Sequence, residues 1–246
     1  MVVLATKCYL EGDARERALD GMHSLVDNEV GDLRVEWTVG VRDDDFVQVD
    51  VSGADATVAE NALAETWGEI VAHDEGLLAG ETYVGTLESW DDDGLVLDAG
   101  TTVHVPADEL GLGVGAPPQV VERFGLVQHL PMQFVYGGEG GATDEAVSDG
   151  AASDVDDASV DVTRLADAER DRLYDWRRGP GRVTVNSATR GEVRATVNRA
   201  GHANDIVTVE RLGLTEQSII CADGTDPPGL LASIGSYLPA EMRCVV

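Results

Sequence analysis

Apolar and polar positions in this chain switch repeatedly between a period of two and a period near 3.6. Residues 2–10 open with an apolar run that predicts a strand. After Gly12-Asp13, the residues Ala18, Met22, Leu25 and Val26 fall on one stripe of a helix reaching to about residue 26. Leu33, Val35, Trp37 and Val39 alternate with Arg34, Glu36 and Thr38, as in a half-buried strand. A turn at Asp43-Asp44-Asp45 separates this run from residues 46–51, which alternate again, so an antiparallel pair is expected. A second helix over residues 55–69 places Val58, Ala59, Ala62, Leu63 and Trp67 inward. The predicted order is β-α-β-β-α.

The texture changes at Tyr83. Residues 83–87 form a strand with Gly85 inside it, a common mark of a bulge or barrel bend. Asp91-Asp92-Asp93-Gly94 makes a hairpin turn, residues 95–100 return, and residues 102–106 add a third strand. This stretch resembles the S1-type oligonucleotide-binding (OB) fold in its glycine-bearing first strand, its hairpin and its Pro106-Ala107-Asp108-Glu109-Leu110 segment. The aromatic pair on which such domains stack bases has no counterpart here, and a plain β-meander accounts for the same residues. Residues 119–124 predict one or two helical turns and residues 132–136 a strand. His129, beside Pro131, reads as a hydrogen-bonded structural histidine.

Beyond residue 161 the pattern is regular. Leu165, Leu173 and Trp176 mark the apolar side of a helix, and Arg177-Arg178-Gly179-Pro180-Gly181-Arg182 turns into a strand over residues 183–187. Thr189-Arg190-Gly191-Glu192 is a capping box opening a helix that Gly201 closes. Strands over 206–212 and 216–221, a helix beginning at Thr225-Asp226-Pro227-Pro228 and a last strand over 242–246 complete β-α-β-β-α-β, a split βαβ unit. The expected spatial order of its strands is 4-1-3-2, with both helices on one face and Val183 and Val185 in a central strand.

Charge divides the chain along similar lines. Residues 1–136 carry a net charge of −21, residues 137–161 one of −8, and residues 162–246 none. The middle piece is Gly, Ala, Ser and Asp with almost nothing to bury, the composition of a disordered acidic linker. Lysine occurs once, at Lys7, among 46 acidic residues and 17 basic ones. That balance suits near-molar salt, where the Debye length is about 3 Å and repulsion among carboxylates is cheap. From Arg177 to Arg199 there are nevertheless six arginines against one acid, Glu192. Cys8, Cys221 and Cys244 lie far apart in apolar runs and read as buried reduced thiols. No apolar run approaches a membrane span, and the first residues lack the features of a secretory signal, so a cytoplasmic location is expected.

Tyr83-Val84-Gly85, the run Arg123-Phe124-Gly125-Leu126-Val127-Gln128-His129-Leu130-Pro131, residues 182–189, residues 200–207, Glu210-Arg211-Leu212-Gly213-Leu214 and Gly224-Thr225-Asp226-Pro227-Pro228-Gly229 together resemble an archaeal family labelled domain of unknown function 2110, in its haloarchaeal form. The resemblance implies archaeal origin and brings no established activity.

The expectation is an α+β protein: an N-terminal α+β domain over residues 1–80, an S1/OB-like β domain over 81–136, an acidic linker over 137–162 and a ferredoxin-like domain over 163–246. Arginine makes bidentate phosphate contacts and stacks on bases. The expected function is therefore non-catalytic RNA binding in a haloarchaeal cytoplasm, associated with translation or transcription. Arg177, Arg178, Arg182, Arg190, Arg194, Arg199 and Arg211 would hold the RNA, with no cofactor, metal or membrane partner. Two alternatives stand beside it. Residues 226–234 resemble the strand-to-helix turn of amino-acid-binding ACT domains, which would imply a small-molecule sensor. Alternatively, the arginines pair with the protein's own carboxylates in a structural or interaction protein. His202, Asn204 and Asp205 form a candidate polar site in the loop after a helix, where a histidine capping the helix end is the other reading.

Overall fold

Strand β1 (Val2–Lys7) is buried along its whole length, and that fact organises the molecule. A computed structural model of the chain, which describes residues 1–71, 76–138 and 162–245, shows why. Val2 and Leu4 face the helices of the N-terminal domain, joining Ala18, Met22, Val26 and Leu63 in one core. Val3 and Ala5 face the other way and pack with Phe46, Ile70 and Val84. The strand is thus covered on both sides, and an uninterrupted apolar sequence is what such a strand needs.

Helix α1 (Gly12–Val30), strands β2 (Val35–Val41) and β3 (Phe46–Gly53) and helix α2 (Ala56–Trp67) complete the N-terminal unit, whose antiparallel sheet runs β1-β3-β2. Strand β2 at the outer edge alternates half-buried and exposed residues, the pattern of a sheet with one face on the core.

The middle unit contains β4 (Thr82–Trp90), β5 (Gly94–Asp98), β6 (Thr102–Pro106), helix α3 (Pro117–Phe124), β7 (Pro131–Val135), β8 (Arg164–Leu165) and helix α4 (Asp167–Arg178). Its five strands pair antiparallel in the order β6-β5-β4-β7-β8. The hairpin predicted at Asp91–Gly94 is present, with Asp91 Oδ1 accepting from the N–H groups of Asp93 and Gly94. The two outermost strands, β6 and β8, approach each other without forming a ladder among the described residues.

Here the structure corrects the sequence reading. The helix expected to begin the C-terminal domain packs instead on α3 and β7, and its Leu173 and Trp176 enter the same core as Leu87, Phe124 and Phe134. Strand β8 pairs with β7, Phe134 opposite Leu165. The acidic stretch therefore joins two neighbouring strands of one sheet rather than two domains. The expected linker itself lies, from residue 139 to 161, outside the described residues. Its flanks meet: the Gly137 N–H donates to Thr163 Oγ1 at 3.1 Å.

The C-terminal unit comprises β9 (Arg182–Val185), α5 (Arg190–Arg199), β10 (Ile206–Arg211), β11 (Gln217–Cys221), α6 (Pro227–Ile234) and β12 (Met242–Val245). Its sheet runs β10-β11-β9-β12, the 4-1-3-2 order that the sequence predicts read from the other edge. Val183 and Val185 lie in the inner strand β9, in one core with Val193 and Val197 of α5 and Leu230 and Ile234 of α6. The capping box closes as the sequence predicts, Thr189 Oγ1 accepting from the Glu192 N–H and Glu192 Oε2 from the Thr189 N–H. The opposite sheet face is covered by the middle unit. Thr184 and Ser218 are fully buried, and Thr184 Oγ1 donates to the Gly125 carbonyl at 2.6 Å.

Candidate nucleic-acid interface

The seven arginines that the sequence singles out do not form one surface; the fold sorts them into two groups. The first group lies where α4 meets β9. Arg182 is mostly buried, donates from Nη1 to Glu210 Oε2 at 2.5 Å and to Ser218 Oγ at 3.2 Å, and lies 4.9 Å from the Trp176 ring centre. Arg177 stands over Phe124 at 5.6 Å. Arg178 pairs with Asp175 one turn back on α4, both side chains open to solvent. Arg182 thus joins the C-terminal unit to the middle one, Arg177 packs within the middle unit, and Arg178 sits in an ordinary surface pair.

The second group lies at the opposite end of the C-terminal sheet. Arg190, the first residue of α5, donates from Nε to the Val209 carbonyl at 2.6 Å. That bond sets it beside Arg211, two residues further along β10. Arg211 stands over the Trp67 ring at 5.7 Å. Burial lowers the Arg211 pKa, and the neighbouring Arg190 charge lowers it further. Arg194 sits one turn after Arg190 on the same side of α5 and is exposed, as is Arg199 at the helix end. Among the described residues no carboxylate lies within 4.0 Å of Arg190, Arg194, Arg199 or Arg211. In a chain with 46 acidic residues, two adjacent guanidiniums without an acid between them are an arrangement that suits an anion.

A small cavity of about 180 Å³ opens beside Arg211. Its wall comes from all three units: Ala5 and Thr6 of β1, Thr66 and Trp67 of α2, Pro131 of β7, and Arg211, Leu212 and Gly213.

Next to it the three units share a buried polar junction that the sequence does not announce. Lys7 Nζ reaches Glu88 Oε1 at 2.9 Å and Asp98 Oδ2 at 2.7 Å. Burial opposes the Glu88 charge, yet hydrogen bonds from His129, Lys7 and Thr86 override it and hold its carboxyl at about 2. His129 stacks against Tyr9 with ring centres 4.0 Å apart. The Tyr9 hydroxyl donates to Glu216 Oε1 at 2.7 Å and accepts from the Ser187 N–H. Glu216 is completely buried, and burial raises its carboxyl to about 7 against the hydrogen bonds from Tyr9 and Thr215. Its second oxygen, Oε2, has no hydrogen-bond partner among the described residues.

Family profiles cover almost the whole chain. The DUF2110 N-terminal domain matches residues 1–73, the DUF2110 central domain residues 77–177, and the DUF2110 C-terminal domain residues 180–246. The chain belongs to the DUF2110 family. No curated protein and no solved structure matches it. The boundary of the DUF2110 central domain at residue 177 falls at the end of α4, in keeping with the packing of that helix on the middle sheet.

Two remaining sequence candidates find their places in this DUF2110 fold. His202 uses both ring nitrogens, Nδ1 with Asp205 Oδ2 at 2.6 Å and Nε2 with Ser233 Oγ at 2.7 Å. The sequence of groups is that of a nucleophile, base and acid. The nearby Gly235 and Tyr237 N–H groups are held by the Leu231 and Ile234 carbonyls. The trio clasps the loop after α5 to α6, and Asn204 stays exposed outside it. Asp226, in the ACT-like turn, caps α6 by accepting from the Gly229 N–H.

The residues at and beside the candidate site that sequence reasoning missed are Trp67 as the partner of Arg211, and the group Lys7, Tyr9, Glu88 and Glu216. One signal was available for the latter. A chain that has shed every other lysine keeps Lys7, and it does so between two carboxylates.

Proposed function

We propose that this protein is a non-catalytic RNA-binding protein that holds single-stranded RNA on the surface formed by Arg190, Arg194 and Arg211. The observation that carries the reading is the pair Arg190 and Arg211, held side by side with no carboxylate near them and flanked by Trp67. Phosphate diesters satisfy guanidinium forks, and an arginine laid on an indole keeps its in-plane N–H groups free to meet them.

Other surfaces fit RNA poorly. The open face of a ferredoxin-like sheet is a common RNA platform, but here it lies against the middle unit. The middle unit's strand order, with a helix between its third and fourth strands and its third and fifth strands close together, supports an OB-like, partly open barrel. Such barrels bind through the loop after their first strand and the loop before their last. In this chain those loops carry Asp91-Asp92-Asp93 and the −8 stretch, which repel phosphate. On the arginine surface, by contrast, the charge is favourable, with no carboxylate within 4.0 Å of Arg190, Arg194 or Arg211 among the described residues. In near-molar salt the net −29 is screened within a few ångströms, and directional hydrogen bonds carry the binding.

The test is retention of RNA by the tagged protein in high-KCl buffer, followed by sequencing of the retained material. The triple variant Arg190→Gln, Arg194→Gln, Arg211→Gln is expected to lose it. The variant Arg177→Gln, Arg178→Gln, Arg182→Gln is expected to keep it, and equal loss from both, with both folded, would refute this assignment.

A further inference from the structure

The cavity beside Arg211 is backed at Gly213 by Glu216, whose Oε2 has no hydrogen-bond partner among the described residues. A Cβ on Gly213 would stand 2.2 Å from Glu216 Oε2 and 3.2 Å from Thr6 Oγ1, so both oxygens share the space beside the Gly213 Cα. Gly213 and Thr6 line the cavity. Thr6 Oγ1 accepts from the Leu214 N–H at 2.7 Å, which leaves its own hydrogen to donate. Pro131, Ala5 and Leu212 make the remaining wall apolar. At the mouth are the N–H groups of Arg211, which no described residue accepts, with Arg190 beside it.

A largely apolar slot with the Thr6 hydroxyl in its wall and a paired cation at its rim has the chemistry of a base followed by its phosphate. A volume of about 180 Å³ lies below the roughly 300–1,000 Å³ that drug-sized ligands occupy, and suits one ring system rather than a whole cofactor.

We infer that this three-domain cavity takes a single unstacked nucleobase, with the adjoining phosphate on Arg211 and Arg190. The inference rests on the RNA reading for its ligand class and sharpens it: the protein selects single strands because only an unstacked base can enter. The Thr6 hydroxyl, which accepts from the Leu214 N–H, can donate its own hydrogen to a base edge. Stacking on the Arg211 face extends the Trp67–Arg211 pair by one more layer.

The experiment uses the full chain in high-KCl buffer and titrates it separately with the four nucleoside 5′-monophosphates and with inorganic phosphate, followed by calorimetry. At least one monophosphate is expected to bind about tenfold or more tightly than inorganic phosphate. Thr66→Trp blocks the slot from its exposed rim without altering charge, and Arg211→Gln removes the phosphate contact; each is expected to weaken the monophosphate by about tenfold. Equal binding of phosphate and monophosphates, or unchanged binding in a folded Thr66→Trp variant, overturns the base pocket. Arginine-dependent RNA retention with no monophosphate binding also overturns the pocket while leaving the RNA reading intact. Monophosphate binding without RNA retention upholds the pocket and removes the RNA reading.

Discussion

Arg182 and Arg211 sit on two strands of the same sheet and have opposite surroundings. Arg182 is enclosed by Trp176, Glu210 and Ser218, so its guanidinium is spent on holding two units together. Arg211 also lies on a tryptophan, but its N–H groups meet no acceptor among the described residues. Charge density along the sequence cannot distinguish them, because what differs is the partner brought by the fold. A cation is available to a ligand only where the chain's own carboxylates have been kept away.

Four experiments can break or sharpen this contrast, and the largest effect should come from the aromatic that encloses the first group. Trp176→Ala removes a buried ring from the middle core and the stacking surface of Arg182 and Arg172. It is expected to cost about 3–5 kcal/mol in denaturant unfolding. A loss below about 1 kcal/mol would show that the interface does not depend on it.

The second effect concerns Glu216, one residue before the cross-strand partner of Arg211. Its folded pKa, about 7, lies above the ordinary glutamate value of 4.5. Its contribution is therefore most favourable below pH 4.5 and is lost as pH rises to 7, by roughly 3 kcal/mol in all. Stability measured from pH 5 to 7.5 should fall accordingly, and Glu216→Gln should flatten the curve in that window. Glu88, held at about 2, acts in the opposite sense and only at lower pH, where its contribution fades as pH falls from 4.5. A curve that does not decline above pH 5 would mean that Glu216 is charged where it stands.

Arg182→Gln comes third, with an expected loss of about 1–3 kcal/mol from two hydrogen bonds and a cation–π contact. The smallest effect on stability belongs to Arg190→Gln combined with Arg211→Gln, expected to stay within about 0.5 kcal/mol of the parent. If this pair destabilises the fold as much as Arg182→Gln does, the two groups of arginines are alike and the contrast fails.

Local structure was legible where a residue's role is fixed by its near neighbours. The capping box at Thr189 and Glu192, the Asp91 turn and the split βαβ order of the C-terminal unit depend on spacings of a few residues. The allegiance of α4 was not legible. Its position after the acidic stretch suggested that it opened the C-terminal domain, whereas Leu173 and Trp176 meet Phe124 and Phe134 from far back in the chain. The candidate site was half legible. Arginine excess pointed to Arg190 and Arg211, but nothing local to either residue named Trp67. The polar junction drew on β1, the middle sheet and the start of β11, with Tyr9 and Glu216 separated by 207 positions. Taken singly, each of its members reads as an ordinary core or surface residue.

The meeting of Gly137 with Thr163 has a further consequence. Because the Gly137 N–H and Thr163 Oγ1 are already joined and β7 and β8 pair directly beyond them, the ends of the intervening segment are fixed by contacts outside it. Closure entropy then grows only with the logarithm of the segment's length, about 0.6 kcal/mol for each doubling. The three units are insulated from how many residues lie between these anchors. Sequence can be gained, lost or replaced by a foreign domain between these anchors at a small thermodynamic cost.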